Sequence, residues 1–447
     1  MEPDLDVAVV GAGVAGLSLA YRLRRTGLTV AVLEAAGHVG GRMASFRHAG
    51  YTVDTGAEQV PAHGYEQTWR LLRELGVPHG EVPRVGGPIA VWRDGRAHAG
   101  VADPRGLLTG AGLSPRARLD LARLLAGAAR RRALFDPDRP EDTPVGLATV
   151  AELAAGYHPD VGDYQLAPVV STFFGWDPAR SAAAPFLALM LAAGPAATWR
   201  TYADGMDTLA RRLAEHVDVR TGVAVREVVA GTDTALVHTD GETLTARSVV
   251  LCVPAPVAAG LYVNAPAGER EFLSACGFTP MLKVSCLLDR PLSPTSRRQL
   301  YALLVPAVER GPDDALGGLL ADHVKHPSRA PAGGGLLTLL AAPAALPELL
   351  DAPDDEVVRA LTGAAERYVP GLAGATVANF VHRFRHGLPE ATPAALALRR
   401  GFLARPVRSV DYAGDWMMLR PSSEGAIRAG AMAAARVARL DRRKVSV

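Results

Sequence analysis

The chain has 447 residues, 49% of them hydrophobic and 21% charged, enough to bury a large core and to form two or three folding units. Its formal net charge of +2 gives no electrostatic footprint for nucleic acid, so a nucleic-acid partner is not expected. Three cysteines, Cys252, Cys276 and Cys286, form neither a CxxC pair nor an even framework, which excludes a disulfide scaffold and fits buried thiols in a reducing, cytoplasmic setting. No signal peptide is visible in the short acidic stretch before Asp6.

The first element is a compact apolar run, Asp6–Val10, the pattern of a buried parallel strand. Gly11-Ala-Gly-Val-Ala-Gly16 follows, then a helix over Leu17–Arg25 with Gly27 at its C-terminus. A second strand, Leu28–Leu33, ends on Glu34. Strand, GxGxxG, helix, strand and acid in this order predict a dinucleotide site. Gly11 permits the tight turn, Gly13 lets backbone approach a pyrophosphate, and Gly16 lets helix and strand pack closely. Ala15 lies in the glycine turn leading into the helix, whose N-terminal free N–H groups and partial positive charge suit phosphate. Glu34 sits where a carboxylate accepts hydrogen bonds from ribose hydroxyls, and it would repel a 2′-phosphate.

Further along, Pro115–Leu134 reads as a helix carrying Leu119, Leu121, Leu124 and Leu125 together with Arg118, Arg123 and Arg130–Arg132. An amphipathic helix with a solvated basic face is favoured over one lying on a membrane surface. Ser181–Ala197 is rich in alanine and leucine, but Pro185 and Pro195 interrupt it; Pro185–Ala193 reads as a helix. Met281–Leu288 reads as a strand, and Pro327–Gly335 as a surface loop. His382 and His386 could share a helix face at i,i+4 spacing, yet no carboxylate ligand accompanies them and no metal site is expected. Phe173, Phe174, Trp176, Trp199 and Tyr202 are candidates either for a substrate pocket or for the core.

Lysine occurs only at positions 283, 325 and 444, so a lysine in an apolar context needs a reason. Strand alternation puts Met281, Lys283, Ser285 and Leu287 on one face. Lys283 is the candidate catalytic cation; a lysine snorkelling at a strand edge is the alternative.

Beyond Glu34 the sequence continues Ala35-Ala-Gly-His-Val-Gly40-Gly41-Arg42-Met43 and then Gly50-Tyr-Thr-Val-Asp-Thr-Gly56-Ala57. Here it resembles the flavin-containing amine oxidase superfamily, which includes monoamine and polyamine oxidases, protoporphyrinogen oxidases and phytoene-type desaturases. Asp204-Gly-Met, Arg220-Thr-Gly-Val-Ala-Val225, Ala413-Gly414-Asp415 and Ser422-Ser-Glu424-Gly425-Ala426 carry the resemblance to the chain's end. It implies noncovalently bound FAD, since no cysteine stands at the C-terminal attachment position. Gly40, Gly41 and Arg42 would hold its diphosphate, and Gly56 and Ala57 would lie beside the isoalloxazine. The Val225 backbone would meet adenine, Gly414 and Asp415 the diphosphate–ribityl region. Glu424, Gly425 and Ala426 would bring a helix N-terminus to the flavin's pyrimidine edge, and Lys283 would reach a water beside N5.

The resemblance implies an α/β fold: a Rossmann-like FAD-binding domain over 1–78, 203–275 and 404–447, with an inserted mixed α+β substrate domain over 79–202 and 276–403. The expected activity is hydride abstraction from a small organic substrate, by oxidation of a C–N bond with O2 as acceptor. Desaturation of a C–C bond in a terpenoid or porphyrinogen-like substrate is the rival, and a structural or nonredox flavin role is a third reading. Arg420-Pro-Ser-Ser423 departs from the amine oxidases, which place an aromatic side chain just before the final motif.

Overall fold

A computed structural model describes residues 3–103, 106, 110–311 and 314–445, with side chains described as far as 440. The strand Leu5–Val10 is buried over nearly its whole length because its apolar residues point both ways into helix-covered layers. It pairs in parallel with Val30–Glu34 on one side and Thr243–Leu251 on the other. Asp218–Thr221 extends the parallel array beyond Val30–Glu34, and Val410–Tyr412 pairs in parallel with Thr243–Leu251. Two antiparallel strands, Ala235–Thr239 and Val225–Ala230, complete a seven-stranded sheet. The helices Val14–Arg24 and Ser423–Val445 pack against each other beside this sheet, bringing the first and last motifs together. At their crossing a Cβ on Gly430 would lie 2.9 Å from the Ala15 carbonyl oxygen.

A second seven-stranded sheet runs in the order 376–389, 278–288, 335–341, 316–321, 302–304, 89–93, 96–99. Its strand Phe278–Leu288 has two unlike faces. Leu282, Val284, Cys286 and Leu288 enter an apolar cluster with Val357, Leu361 and Ala365 of the helix Asp354–Ala365. Lys283, Ser285 and Leu287 point the other way, where Leu287 meets Tyr51 and Val53.

Between the sheets lies a hairpin, Ser45–His48 with Tyr51–Asp54. Its two-residue turn has positive φ at both Ala49 and Gly50, 48° and 83°, which matches the right-handed twist of paired strands. The Tyr51 hydroxyl donates to the Leu288 carbonyl at 2.7 Å and pins the hairpin to the second sheet. Asp54, at the hairpin's end, is held beside Lys325, 3.0 Å from its Nζ.

The helix Pro115–Arg130 buries Ala117, Leu121, Leu124 and Ala128, a stripe at helical spacing. Ser114 caps it by accepting from the Ala117 N–H at 3.2 Å, with Pro115 in the first turn. Leu119 and Leu125 stay exposed on its other side. No helix among the described residues is long and apolar enough to cross a membrane.

Two sequence expectations are corrected. His382 and His386 lie on the long strand Thr376–Pro389, not on a helix, because the segment pairs with Phe278–Leu288 along its length and tertiary pairing overrides local spacing. Pro327–Gly335 is exposed at 327–328 and 331–333 but is not surface throughout: its Arg329 is fully buried because it answers the charge of Asp54.

Candidate active site

The N-terminal glycines form a cradle. Gly11 has φ +105°, and a Cβ there would lie 2.9 Å from the Cys252 carbonyl oxygen. A Cβ on Gly16 would come within 2.1 Å of the Gly11 carbonyl oxygen, so helix and strand touch through bare backbone. Gly13 faces open space, with nothing within 4 Å of an added Cβ. The helix that follows has no side-chain cap and no acid in its first turn. The N–H groups of Ala15 and Gly16 meet no protein acceptor among the described residues, while Val14 follows the parallel bridge between Gly13 and Gly40. Open space beside uncapped helix donors fits the diphosphate of a dinucleotide.

Glu34 closes the cradle. Its Oε2 accepts from the Ala12 N–H at 2.7 Å and its Oε1 from the Ala36 N–H at 2.9 Å. The carboxylate therefore braces the glycine turn and keeps further lone pairs for a ribose. Ala35 is exposed at the strand's end. Val223, rather than Val225, is tied directly to this corner, through its N–H and the Glu34 carbonyl at 2.9 Å. Val225 opens the next strand, paired with Thr239.

The second glycine turn lies against the first. Gly40 donates to the Ala12 carbonyl at 2.9 Å, and a Cβ on Gly41 would sit 3.6 Å from Gly13 Cα. Arg42 spans to the end of the chain: Nη2 donates to Asp415 Oδ1 at 2.7 Å and Nη1 to the Gly387 carbonyl at 3.0 Å. Its carbonyl accepts the Ala57 N–H at 2.9 Å, and a Cβ on Gly56 would lie 2.2 Å from that same oxygen. Gly414 leaves no room for a Cβ beside the Trp416 indole. Residues from both ends of the sequence thus share one continuous surface.

The helix Ser423–Val445 starts on a Ser422 cap, whose Oγ accepts from Gly425 at 3.1 Å and whose carbonyl accepts from Ala426 at 3.0 Å. Those two N–H groups are spent within the cap. The N–H groups of Ser423 and Glu424 meet no protein acceptor among the described residues and face outward from the helix start. The Glu424 side chain turns away from this end. Fully buried, it accepts from the N–H of Gln67, from the N–H and hydroxyl of Thr68, and from Arg428 Nε at 2.7 Å. It caps the helix Glu66–Glu74 from across the fold.

Lys283 is buried, and its Nζ donates to the Gly56 carbonyl at 2.9 Å and to Glu58 Oε1. The candidate cation is thus held against the Gly56–Ala57 turn, and it is ion-paired. Around it runs a buried charge cluster. Lys325 Nζ contacts Asp54 Oδ2 at 3.0 Å, Asp322 Oδ1 at 2.6 Å and Glu58 Oε2. Arg329 Nη2 lies 3.0 Å from Asp54 Oδ2. Thr338 donates to Asp322 at 2.6 Å. Burial would raise the Asp54 carboxyl, but Lys325, Arg329 and the Met206 N–H outweigh it and bring it down to about 2. Carboxylate oxygens of Asp54, Glu58 and Asp322 approach within 4.8 Å of one another, a spacing a metal could use. The Lys325 ammonium bonds to all three and supplies the balancing charge itself.

His382 stands across from Lys283, its Nε2 3.1 Å from the Ser285 hydroxyl. Burial and then the Lys283 ammonium lower its pKa to about 4, so the ring is neutral at pH 7. Trp176, Trp199 and Tyr202 are core side chains, whereas Phe173 and Phe174 are only partly buried. The position before the final motif is filled by buried Arg420, whose guanidinium sits 5.6 Å from the Tyr65 ring centroid.

Sequence reasoning missed Glu58, Lys325, Asp322 and Arg329. The scarcity of lysine, which singled out Lys283, applied equally to Lys325. Glu58 directly follows the Gly56–Ala57 turn. Nothing local marked Asp322 or Arg329.

The profile of the family described as flavin containing amine oxidoreductase matches residues 14–438. Among curated relatives, protoporphyrinogen oxidase 2 of Arabidopsis thaliana is 45% identical over 71 residues, 16% of this chain and 14% of that protein. The 4,4'-diapophytoene desaturase of Staphylococcus haemolyticus is 48% identical over 52 residues, 12% of this chain and 10% of that protein. The chain thus matches only a small part of these relatives' length. Cyclohexylamine oxidase from Brevibacterium oxydans shares the fold throughout: TM-score 0.77 at 20% identity, covering 98% of this chain and 99% of that one. With the two glycine turns, the terminal helix and a profile match along nearly its whole length, the chain belongs to the flavin-containing amine oxidoreductase family.

Proposed function

We propose that the chain binds FAD noncovalently and oxidises a C–N bond of a small metabolic intermediate, passing the electrons to O2. The observation that carries this reading is the Lys283 ammonium, buried and bonded to the Gly56 carbonyl in the turn that would border the flavin. When bound, the flavin supplies the two-electron acceptor for a hydride. The Ala15 and Gly16 N–H groups and Arg42 would hold the diphosphate, Glu34 the ribose, and the N–H groups of Ser423 and Glu424 the electron-rich end of the ring system. The substrate loses a hydride and a proton to become an imine; O2 takes up two electrons and two protons to become hydrogen peroxide.

The proposed division into a FAD-binding part (1–78, 203–275, 404–447) and a substrate part (79–202, 276–403) is supported by the sheets. Every strand of the first falls in the former, and every strand of the second in the latter.

One observation favours C–C desaturation instead: Arg420 fills the position where amine oxidases carry an aromatic. The test is anaerobic bleaching of the flavin by a panel of amines, amides and polyenes. Bleaching by amines supports the first reading, bleaching by polyenes alone replaces it with the second, and bleaching by none contradicts both. FAD released by acid identifies the cofactor; flavin retained on the denatured chain overturns noncovalent attachment.

A further inference from the structure

We propose that Glu58 is the positioning residue for Lys283: its carboxylate holds the ammonium against the Gly56 carbonyl and cancels most of its charge, so the reactive edge of the site faces a neutral lysine–glutamate pair instead of a free cation. This rests on the reading that a flavin lies along the Gly56–Ala57 turn.

The buried cluster holds three carboxylates, Asp54, Glu58 and Asp322, and three cations, Lys283, Lys325 and Arg329. Asp54 and Asp322 answer Lys325 and Arg329 by direct contacts of 3.0, 2.6 and 3.0 Å. That set is neutral without Glu58. The remaining anion is Glu58 and the remaining cation is Lys283, and they are hydrogen-bonded to each other. Lys283 has no other carboxylate partner among the described residues; its second acceptor is the neutral Gly56 carbonyl.

Geometry gives Glu58 its second task. Lys283 projects from the second sheet, while Glu58 follows the hairpin that ends at Asp54. Lys283 shares Glu58 with Lys325, which reaches the other carboxylate oxygen. Glu58 is therefore held from behind, and its Oε1 fixes where the Lys283 ammonium sits. Burial pushes the Glu58 carboxyl upward in pKa, and the Lys283 and Lys325 ammonium groups pull it back. A buried ion pair interacts weakly with a third charge, whereas either member alone interacts strongly.

The test is the midpoint potential of the flavin in the loaded protein, measured by dye equilibration for the parent, Glu58→Gln, Lys283→Met and the double variant. A residue that merely supports the fold would not move this potential. Glu58→Gln uncovers a cation and shifts the potential upward, because positive charge favours the reduced, anionic cofactor. Lys283→Met uncovers an anion and shifts it downward. Removing both deletes a neutral pair, so the double variant returns close to the parent, the sum of two opposite shifts of similar size. Glu58→Asp retains the charge and guards against loss of folding; its longer ion pair gives a smaller shift in the same upward direction. A downward shift at Lys283→Met with no shift at Glu58→Gln or Glu58→Asp overturns the role of Glu58 while leaving the flavin reading intact. If neither Lys283 nor Glu58 variants move the potential, the flavin does not lie along this turn, and the inference falls together with that reading.

Discussion

Arg42 and Asp415, 373 residues apart in the chain, are joined by a 2.7 Å hydrogen bond from Nη2 to Oδ1. Asp415 is buried and the Arg42 side chain is one-third exposed. The bond closes the gap between the N-terminal glycine turns and the C-terminal motif, and it covers a carboxylate that would otherwise repel a diphosphate. Arg42→Ala should therefore destabilise the flavin-free protein by about 1–3 kcal/mol, below the usual cost of breaking a fully buried pair because solvent screens the arginine. A double-mutant cycle with Asp415→Asn, followed by urea unfolding, should give a coupling of ~1 kcal/mol. Strictly additive effects would show that the bond contributes nothing.

Glu34 has two duties, so its loss should be felt twice. Glu34→Ala leaves the Ala12 and Ala36 N–H groups without their acceptor and removes the proposed ribose contact. Flavin-free stability should fall, and FAD affinity should weaken by about 1.5–3 kcal/mol, the scale of hydrogen bonds to a charged group. FAD titration of the variant checks the second effect; binding equal to the parent would remove Glu34 from the ribose site.

Glu424 belongs to the fold more than to the cofactor. Its four acceptances from Gln67, Thr68 and Arg428 involve a fully buried carboxylate, so Glu424→Ala leaves a helix start uncapped and Arg428 Nε without its acceptor. The expected cost is about 3–5 kcal/mol, read as a lower urea midpoint in the flavin-free protein. An unchanged midpoint would contradict this placement.

His382 should give the protein an acid-sensitive stability. Its folded pKa, about 4, lies below the ordinary 6.5, so the unfolded chain binds more protons between those values. The contribution is intact above pH 6.5 and is lost as pH falls toward 4. Between pH 6.5 and 5 the loss is up to ~2 kcal/mol. His382→Phe should flatten stability across that window; an unchanged slope would assign it to other groups.

The flavin fold was legible because its requirements are local. GxGxxG, Gly40-Gly41-Arg42 and the Ser-Glu-Gly-Ala start each specify backbone over a few residues, and no side chain fits at Gly11 or Gly16. Lys283 was legible from scarcity and strand alternation. The charge cluster was not, since Glu58, Asp322, Lys325 and Arg329 are drawn from segments that only the meeting of hairpin and second sheet brings together. The tie between the Val223 N–H and the Glu34 carbonyl was not legible either, since it depends on where the chain turns at Gly222. The two histidines were read at helical spacing because nothing local announces a strand whose pairing partner lies about 100 residues earlier.

Lys283 is proposed to serve the reaction with oxygen from a place beside the flavin. Oxygen gains negative charge as it accepts electrons, and a nearby ammonium in a dry site stabilises that charge, even when partly compensated by Glu58. Stopped-flow traces of the two half-reactions of Lys283→Met separate this role from substrate oxidation. Reoxidation of the reduced enzyme by O2 should slow more than its reduction by substrate. Equal oxygen rates in parent and variant would contradict it.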